Sequence, residues 1–282
     1  MIEALQFEFI RNALVAGLLA SVICGIMGTL VVVNRIVFLS GGIAHASYGG
    51  IGLALYFGWP LMLGTIGFAF VAAMVMAAIS LRARHRADTI IGVIWALGMA
   101  LGIIMVDLSP GYNVDLMSYL FGSILTVPQS DLLIMLAMGM VIAALVTYFY
   151  KDLLALSYDE EFARIRGVPV KGLYFTLIGM LAVTIVLVIQ VVGLILVIAL
   201  LTIPPYIVEK YARSLVQMMV GSSILGAVFT VTGLWLAYRF NLTSGAAIIV
   251  VSGIAFVISA LIDRMRMFTR TKHQPAADKR SI

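Results

Sequence analysis

Apolar residues run along this chain in blocks of helix length, each closed by a short polar or Gly/Pro-containing stretch, a pattern that predicts membrane-spanning helices. The first block, about Arg11 to Val33, exceeds the roughly 20 residues that a bilayer core requires and ends at Asn34-Arg35. The second, about Gly41 to Phe57, is stopped by Gly58-Trp59-Pro60, with Trp59 as an interfacial anchor and Pro60 as a first-turn residue of the next helix. A third block covers about Leu61 to Leu81 and gives way to Arg82-Ala83-Arg84-His85-Arg86. A fourth, about Thr89 to Val106, leads into a polar loop with Asp107, Pro110 and Asp115, after which Leu116 to Leu125 predicts a short interfacial helix. The fifth runs from about Asp131 to Tyr150. From Gly172 to Leu201 the apolar run is longer than one span needs. Gln190 and Gly193 divide it into about Leu173 to Val191 and Gly193 to Tyr206, the latter bent near its end by Pro204-Pro205. Two last spans, about Leu215 to Tyr238 and Ala246 to Ile262, bring the count to nine, or to eight if Gly172 to Tyr206 crosses once.

Two ladders of small residues at four-residue spacing, Gly17-Ser21-Gly25 and Gly42-Ala46-Gly50-Ala54, predict close helix contacts. Composition agrees with the pattern. The chain of 282 residues is 63% hydrophobic and 11% charged, against about 25% charged in soluble domains. The fold class is therefore an all-α polytopic membrane protein. A β-barrel is excluded because the runs are continuous rather than alternating. Cys24 is the only cysteine, so there is no intrachain disulfide and no thiolate cage. The net charge of +5 gathers after Leu261, where Arg264, Arg266, Arg270, Lys272, Lys279 and Arg280 outnumber Asp263 and Asp278. A basic run directly after a span marks the cytoplasmic side rather than a nucleic-acid site. The C-terminus is expected in the cytoplasm and the N-terminus, which shows no cleavable signal, outside. The expected organisation is a transmembrane domain over 1–268 and a basic, disordered tail over 269–282, in the inner or plasma membrane.

Candidate chemistry is sparse. His45 stands in Ser40-Gly41-Gly42-Ile43-Ala44-His45-Ala46-Ser47-Tyr48-Gly49-Gly50. On a helix its neighbours three and four residues away are Gly41, Gly42, Tyr48 and Gly49, so the imidazole is expected over a shallow trough beside one phenol. An ionisable group at membrane depth is costly and faces protein or water. His45 is thus either a functional residue or a neutral histidine bonded to a neighbouring helix. The other polar residues within spans are Gln190 and, near a kinked end, Glu209. His85 belongs to a solvated basic run. No Gly-x4-Gly-Lys-Ser/Thr, His-Glu-x2-His or Ser/His/Asp set occurs, so the chain neither binds ATP through a P-loop nor looks like an enzyme. A balanced charged segment, about 151–171, predicts a short helix capped by Ser157 or Asp159 and ended by Gly167-Val168-Pro169, suited to docking a motor subunit.

Several stretches resemble the permeases of metal-type ABC importers, the manganese, zinc and iron group. They are Phe38 to Ala46, Asp115 to Leu125 with its Leu-Phe-Gly, Asp159 to Pro169, Gln190 to Pro204, and Ser244-Gly245-Ala246, in the family's order along nearly the whole chain. The resemblance implies the metal importer permease fold and a homodimer with a pathway at its axis. It also implies a cytoplasmic ATPase dimer that holds the ATP, and an extracytoplasmic binding protein that delivers a divalent metal ion. The chain itself would bind no cofactor. Asp159, Glu160, Arg164 and Gly167 would fall in the ATPase-coupling segment, and Gly41, Tyr48, Gly49 and Gln190 along the pathway. The family's metal-contacting pair is an Asp four residues before a His; His45 matches, but Gly41 holds the Asp position. Glu209 stands where the family commonly has a base, and either supplies some of the missing charge or pairs with Lys210 or Arg213 at the surface. Rival readings are an importer of a chelated metal or siderophore, an ATP-independent secondary carrier, and an intramembrane enzyme, for which no second catalytic residue is found near His45.

Overall fold

The computed structural model describes residues 6, 8–109, 122 and 127–272. Eleven α-helices are described: α1 (Glu8–Val33), α2 (Val37–Phe57), α3 (Leu61–Arg82), α4 (Ala87–Asp107), α5 (Gln129–Tyr148), α6 (Tyr150–Tyr158), α7 (Glu160–Ile165), α8 (Val170–Val192), α9 (Leu194–Glu209), α10 (Leu215–Phe240) and α11 (Ser244–Lys272). The expected helix over Leu116 to Leu125 lies outside the described residues apart from Gly122. α11 continues four residues into the expected tail, and 273–282 lie outside the description.

Helix ends follow local chemistry. At Gly58 (φ 67°) and Gly167 (φ 80°) the chain enters the left-handed region that glycine tolerates. In each case the following amide closes back on the helix, Trp59 N–H to the Ala54 carbonyl and Val168 N–H to that of Ala163. α1 ends the same way without a glycine: Arg35 takes φ 57°, and Ile36 N–H donates to the Val31 carbonyl. Asp159 caps α7 by accepting the Phe162 N–H at 2.9 Å, whereas Ser157 accepts from Asn34 Nδ2 at 2.9 Å.

The small-residue ladders meet other helices as expected. On α1, Ser21 Oγ lies 3.0 Å from Thr230 Oγ1, and a Cβ added at Gly25 would stand 2.5 Å from the Ser223 N. These contacts run in opposite sense along the two helices, so α1 and α10 are antiparallel. α9 does not end at its prolines. Pro204 and Pro205 lie inside it, and Pro205 leaves the Leu201 carbonyl without its usual helical donor. That oxygen lies against Gly28 of α1, where a Cβ would collide with it.

Seven described helices (α1, α3, α4, α5, α8, α10 and the Ser244–Met265 part of α11) are long and apolar enough to cross a membrane. α2 is long enough, but its glycines, serines and His45 dilute its apolarity; α9, with 16 residues, is short. Connectivity nonetheless makes both of them cross. The end of α3 at Ser80-Leu81, just before the Arg82–Arg86 turn, α6 and α7, the α1–α2 turn and Arg213–Leu215 share one end of the bundle, where two grooves join them. This end is the basic face. Gln190 and Asp131 border a small pocket at the far face, and Gly122 packs on Val192-Gly193 there. α8 therefore rises to the far face and α9 returns. Among the described residues, nine helices alternate in direction, roughly consistent with the expected eight to nine, and seven of them are long and apolar enough to cross a membrane.

Candidate functional site

α2 is inserted between α3 and α4 by near-contact of backbones. A Cβ at Gly98 would stand 2.8 Å from the Ala46 Cα, one at Gly52 2.7 Å from the Gly102 Cα, and one at Gly50 2.7 Å from the Gly64 carbonyl oxygen. Such approach is what small residues permit where lipid supplies no hydrophobic drive between helices. The register it fixes brings one residue of α4 onto His45. The Trp95 indole stacks on the imidazole with centroids 4.0 Å apart and planes 13° from parallel. Trp95 Nε1–H donates to Met99 Sδ at 3.2 Å, one turn further along α4, and Phe38 flanks the indole at 6.2 Å.

His45 itself is half-buried. Its Nδ1 is buried and has no hydrogen-bond partner among the described residues. An orphaned buried nitrogen is costly and calls for a cause. The bland alternative, a histidine bonded to a neighbouring helix, does not fit this geometry.

The trough around His45 is mostly filled. Ile91 Cγ2 lies 2.5 Å from where a Cβ would stand at Gly42, with Met76 Sδ 3.5 Å from it; Phe68 and the Gly98 carbonyl close Gly49. Tyr48 is 2% exposed and packs against Gly102. Only Gly41 keeps its space: it is buried, yet a Cβ there would meet nothing within 4 Å. Of the four expected neighbours, then, Gly41 alone leaves unfilled space, one turn before the imidazole on the same face of α2. No group of three or more His, Cys, Asp or Glu side chains that could hold a metal occurs among the described residues.

The remaining candidates lie elsewhere. Gln190 is near the far-face end of α8, bordering the pocket with Met62 and Asp131, whereas His45 sits in the middle of α2. Glu209 closes α9 at the basic face and is exposed. Lys210 pairs with Asp263, donates to Ser259 Oγ at 3.0 Å and lies 4.8 Å over the Tyr206 ring. Neither Lys210 nor Arg213 forms an ion pair with Glu209 among the described residues.

On the basic face α6 and α7 form a small platform. Glu160 and Arg164 pair at 2.9 Å, and the Arg166 guanidinium sits 5.6 Å over the Phe162 ring. The platform exposes apolar tips, Tyr158 (70%), Phe162 (51%) and Ile165 (85%). A groove of about 780 Å³ separates it from Arg213–Leu215. The Asn34–Ser157 hydrogen bond ties this platform to the turn that begins α2. Reading the sequence missed Trp95 and Met99. The signal was a tryptophan six residues past the start of an apolar block, away from the interfaces where tryptophan collects.

Comparison with known proteins agrees with this architecture. The family model described as the ABC 3 transport family matches residues 6–263. An uncharacterized membrane protein of Synechocystis sp. is 51% identical over 264 residues, 94% of each chain. The manganese transport system membrane protein MntC of Listeria monocytogenes is 32% identical over 257 residues, 91% of each chain. Among solved structures, PsaBC from Streptococcus pneumoniae in complex with Fab superposes with a TM-score of 0.83 at 33% identity, covering 92% of this chain and 93% of that one.

Proposed function

The chain belongs to the ABC 3 transport family, and from that premise we propose that it is the membrane-spanning subunit of an importer for a divalent transition-metal ion. Transport, not catalysis, is its role; ATP is hydrolysed by a separate subunit dimer. The observation that carries the proposal is His45: a half-buried imidazole at mid-membrane, with an orphaned Nδ1 and open volume one turn away at Gly41. An intramembrane ionisable residue in such a place marks a transport path. One donor per chain is too few for a dication, so a second copy supplies another imidazole across a shared pathway.

The basic face is cytoplasmic by the positive-inside rule, which also puts the C-terminal end of α11 inside. The exposed tips of α6 and α7 dock the ATPase there, and Asn34–Ser157 carries movement to α2. An extracytoplasmic metal-binding protein delivers the ion at the far face. Relatives named for manganese transport favour Mn²⁺, and an imidazole also serves Zn²⁺ and Fe²⁺. The empty space at Gly41 favours one second reading, a cargo that enters with some ligands of its own.

His45→Ala tests the proposal by Mn²⁺ uptake into vesicles holding the assembled importer. Uptake is expected to vanish while membrane abundance and ATPase association persist. Normal uptake by the assembled variant would remove His45 from the mechanism.

A further inference from the structure

We propose that Trp95 is a positioning residue for His45, doing by ring stacking what a hydrogen bond does for most metal-binding histidines. The inference rests on the transport reading above. A metal-binding imidazole gives one nitrogen to the ion, and its other N–H usually donates to a carboxylate, carbonyl or water, fixing the ring and raising its basicity. His45 lacks that second contact, since Nδ1 is buried with no partner among the described residues. What fixes the ring is the indole, 4.0 Å away and 13° from parallel, over one whole face of the imidazole. The indole is itself held by its N–H bond to Met99 Sδ and by Phe38. Beneath it, the near-contacts at Gly98 and Gly102 lock the register of α4 on α2.

With Nδ1 enclosed, the accessible edge of the half-buried ring is its Nε2 edge, and that nitrogen meets the ion. The arrangement gives orientation without added basicity. The ion finds a ready donor but is not held tightly, which is what a transit site requires. Metal coordination draws electron density from the imidazole, and an electron-poor ring stacks more strongly on the indole face. Occupancy therefore tightens the stack rather than displacing the helices.

The test uses the assembled importer in lipid vesicles with Trp59 and Trp235 replaced by Phe, so that tryptophan emission from this chain reports Trp95. Paramagnetic Mn²⁺ is expected to quench that emission, and His45→Ala to abolish the quenching. In uptake, Trp95→Leu is expected to raise the KM for Mn²⁺ about tenfold or more. Trp95→Phe, which keeps a ring to stack, is expected to stay within about threefold of the parent. Absence of His45-dependent quenching, or an unchanged KM in Trp95→Leu, would overturn the positioning role. If at the same time His45→Ala abolished uptake, the transport reading would stand without it. Should Trp95→Leu not accumulate, the quenching experiment and Trp95→Phe decide.

Discussion

Along α8, from Leu177 to Val192, enclosure comes from large aliphatic side chains, and Leu181, Ile185 and Val188 are wholly buried. Along α2 it comes from their absence: Gly50 and Gly52 meet the backbones of Gly64 and Gly102, and Ala46 meets that of Gly98. Both stretches are interior, yet only that of α2 carries an ionisable side chain, since Lys171 and Tyr174 of α8 lie nearer the basic face, before Leu177. Lipid and a leucine-rich helix are equally apolar, so an apolar helix in a bilayer is held in the interior mainly by packing. Interdigitated side chains fill the gaps and leave room for no more than a small hydroxyl, Thr184, wholly buried on α8. Backbone-to-backbone contact fixes the helices equally well and leaves a gap wherever a glycine has no neighbour opposite, as at Gly41.

The comparison is broken most severely at the backbone contacts. Gly52→Leu has no accommodation, because a Cβ there would collide with the Gly102 carbonyl oxygen and stand 2.7 Å from its Cα. Neither group is the end of a flexible side chain. Loss of α2–α4 docking is expected, read as absence of the chain from the membrane or its failure to co-purify with the proposed ATPase partner. Wild-type abundance and uptake would show that the contact is not structural.

A cavity in α8 should cost stability without touching the site. Ile185→Ala removes packing around a fully buried residue and is expected to cost about 2–5 kcal/mol, measured as a lower midpoint of thermal unfolding in detergent. The KM for Mn²⁺ should be unchanged. A shifted KM with an unshifted midpoint would mean that α8, like α2, belongs to the path.

The same contrast explains what could be read from the sequence. Apolar block length marked seven helices, Gly58 and Gly193 with their neighbours bounded α2 and α9, and Asp159 and Gly167 announced their turns, because these are local properties. Periodicity correctly put Gly41, Gly42, Tyr48 and Gly49 around His45. It could not say that Ile91 and Phe68 would enter from other helices and fill two of those positions, or that Trp95 would cover the ring. Those facts depend on the register between helices. Arg35 in a left-handed conformation is similar: nothing in its own side chain signals it, and the turn is imposed by α1 and α2 packing on either side. The run of α9 through its prolines was expected, but not that the Leu201 carbonyl orphaned by Pro205 would lie against Gly28 of α1, a partner 173 positions away in the chain.

Gly41 and Gly42 give the finest test of the comparison, since they are adjacent, both buried, and differ only in what stands opposite. Gly42→Ala must move the Ile91 side chain, whereas Gly41→Ala meets nothing and should hold or slightly raise stability through better helix propensity. Gly41→Asp then places a carboxylate one turn from His45 in each copy. Opposite charges about 4 Å apart attract by about 4 kcal/mol in a partly solvated site before desolvation is subtracted. A modest net gain remains, and the KM for Mn²⁺ is expected to fall about tenfold, equivalent to about 1.4 kcal/mol. Equal uptake by the parent and by Gly41→Asp, with both well expressed, would mean that the space at Gly41 is not on the path of a bare ion. Loss of uptake in Gly41→Asp would instead point to a cargo that brings its own ligands, because the new side chain occupies the volume those ligands need.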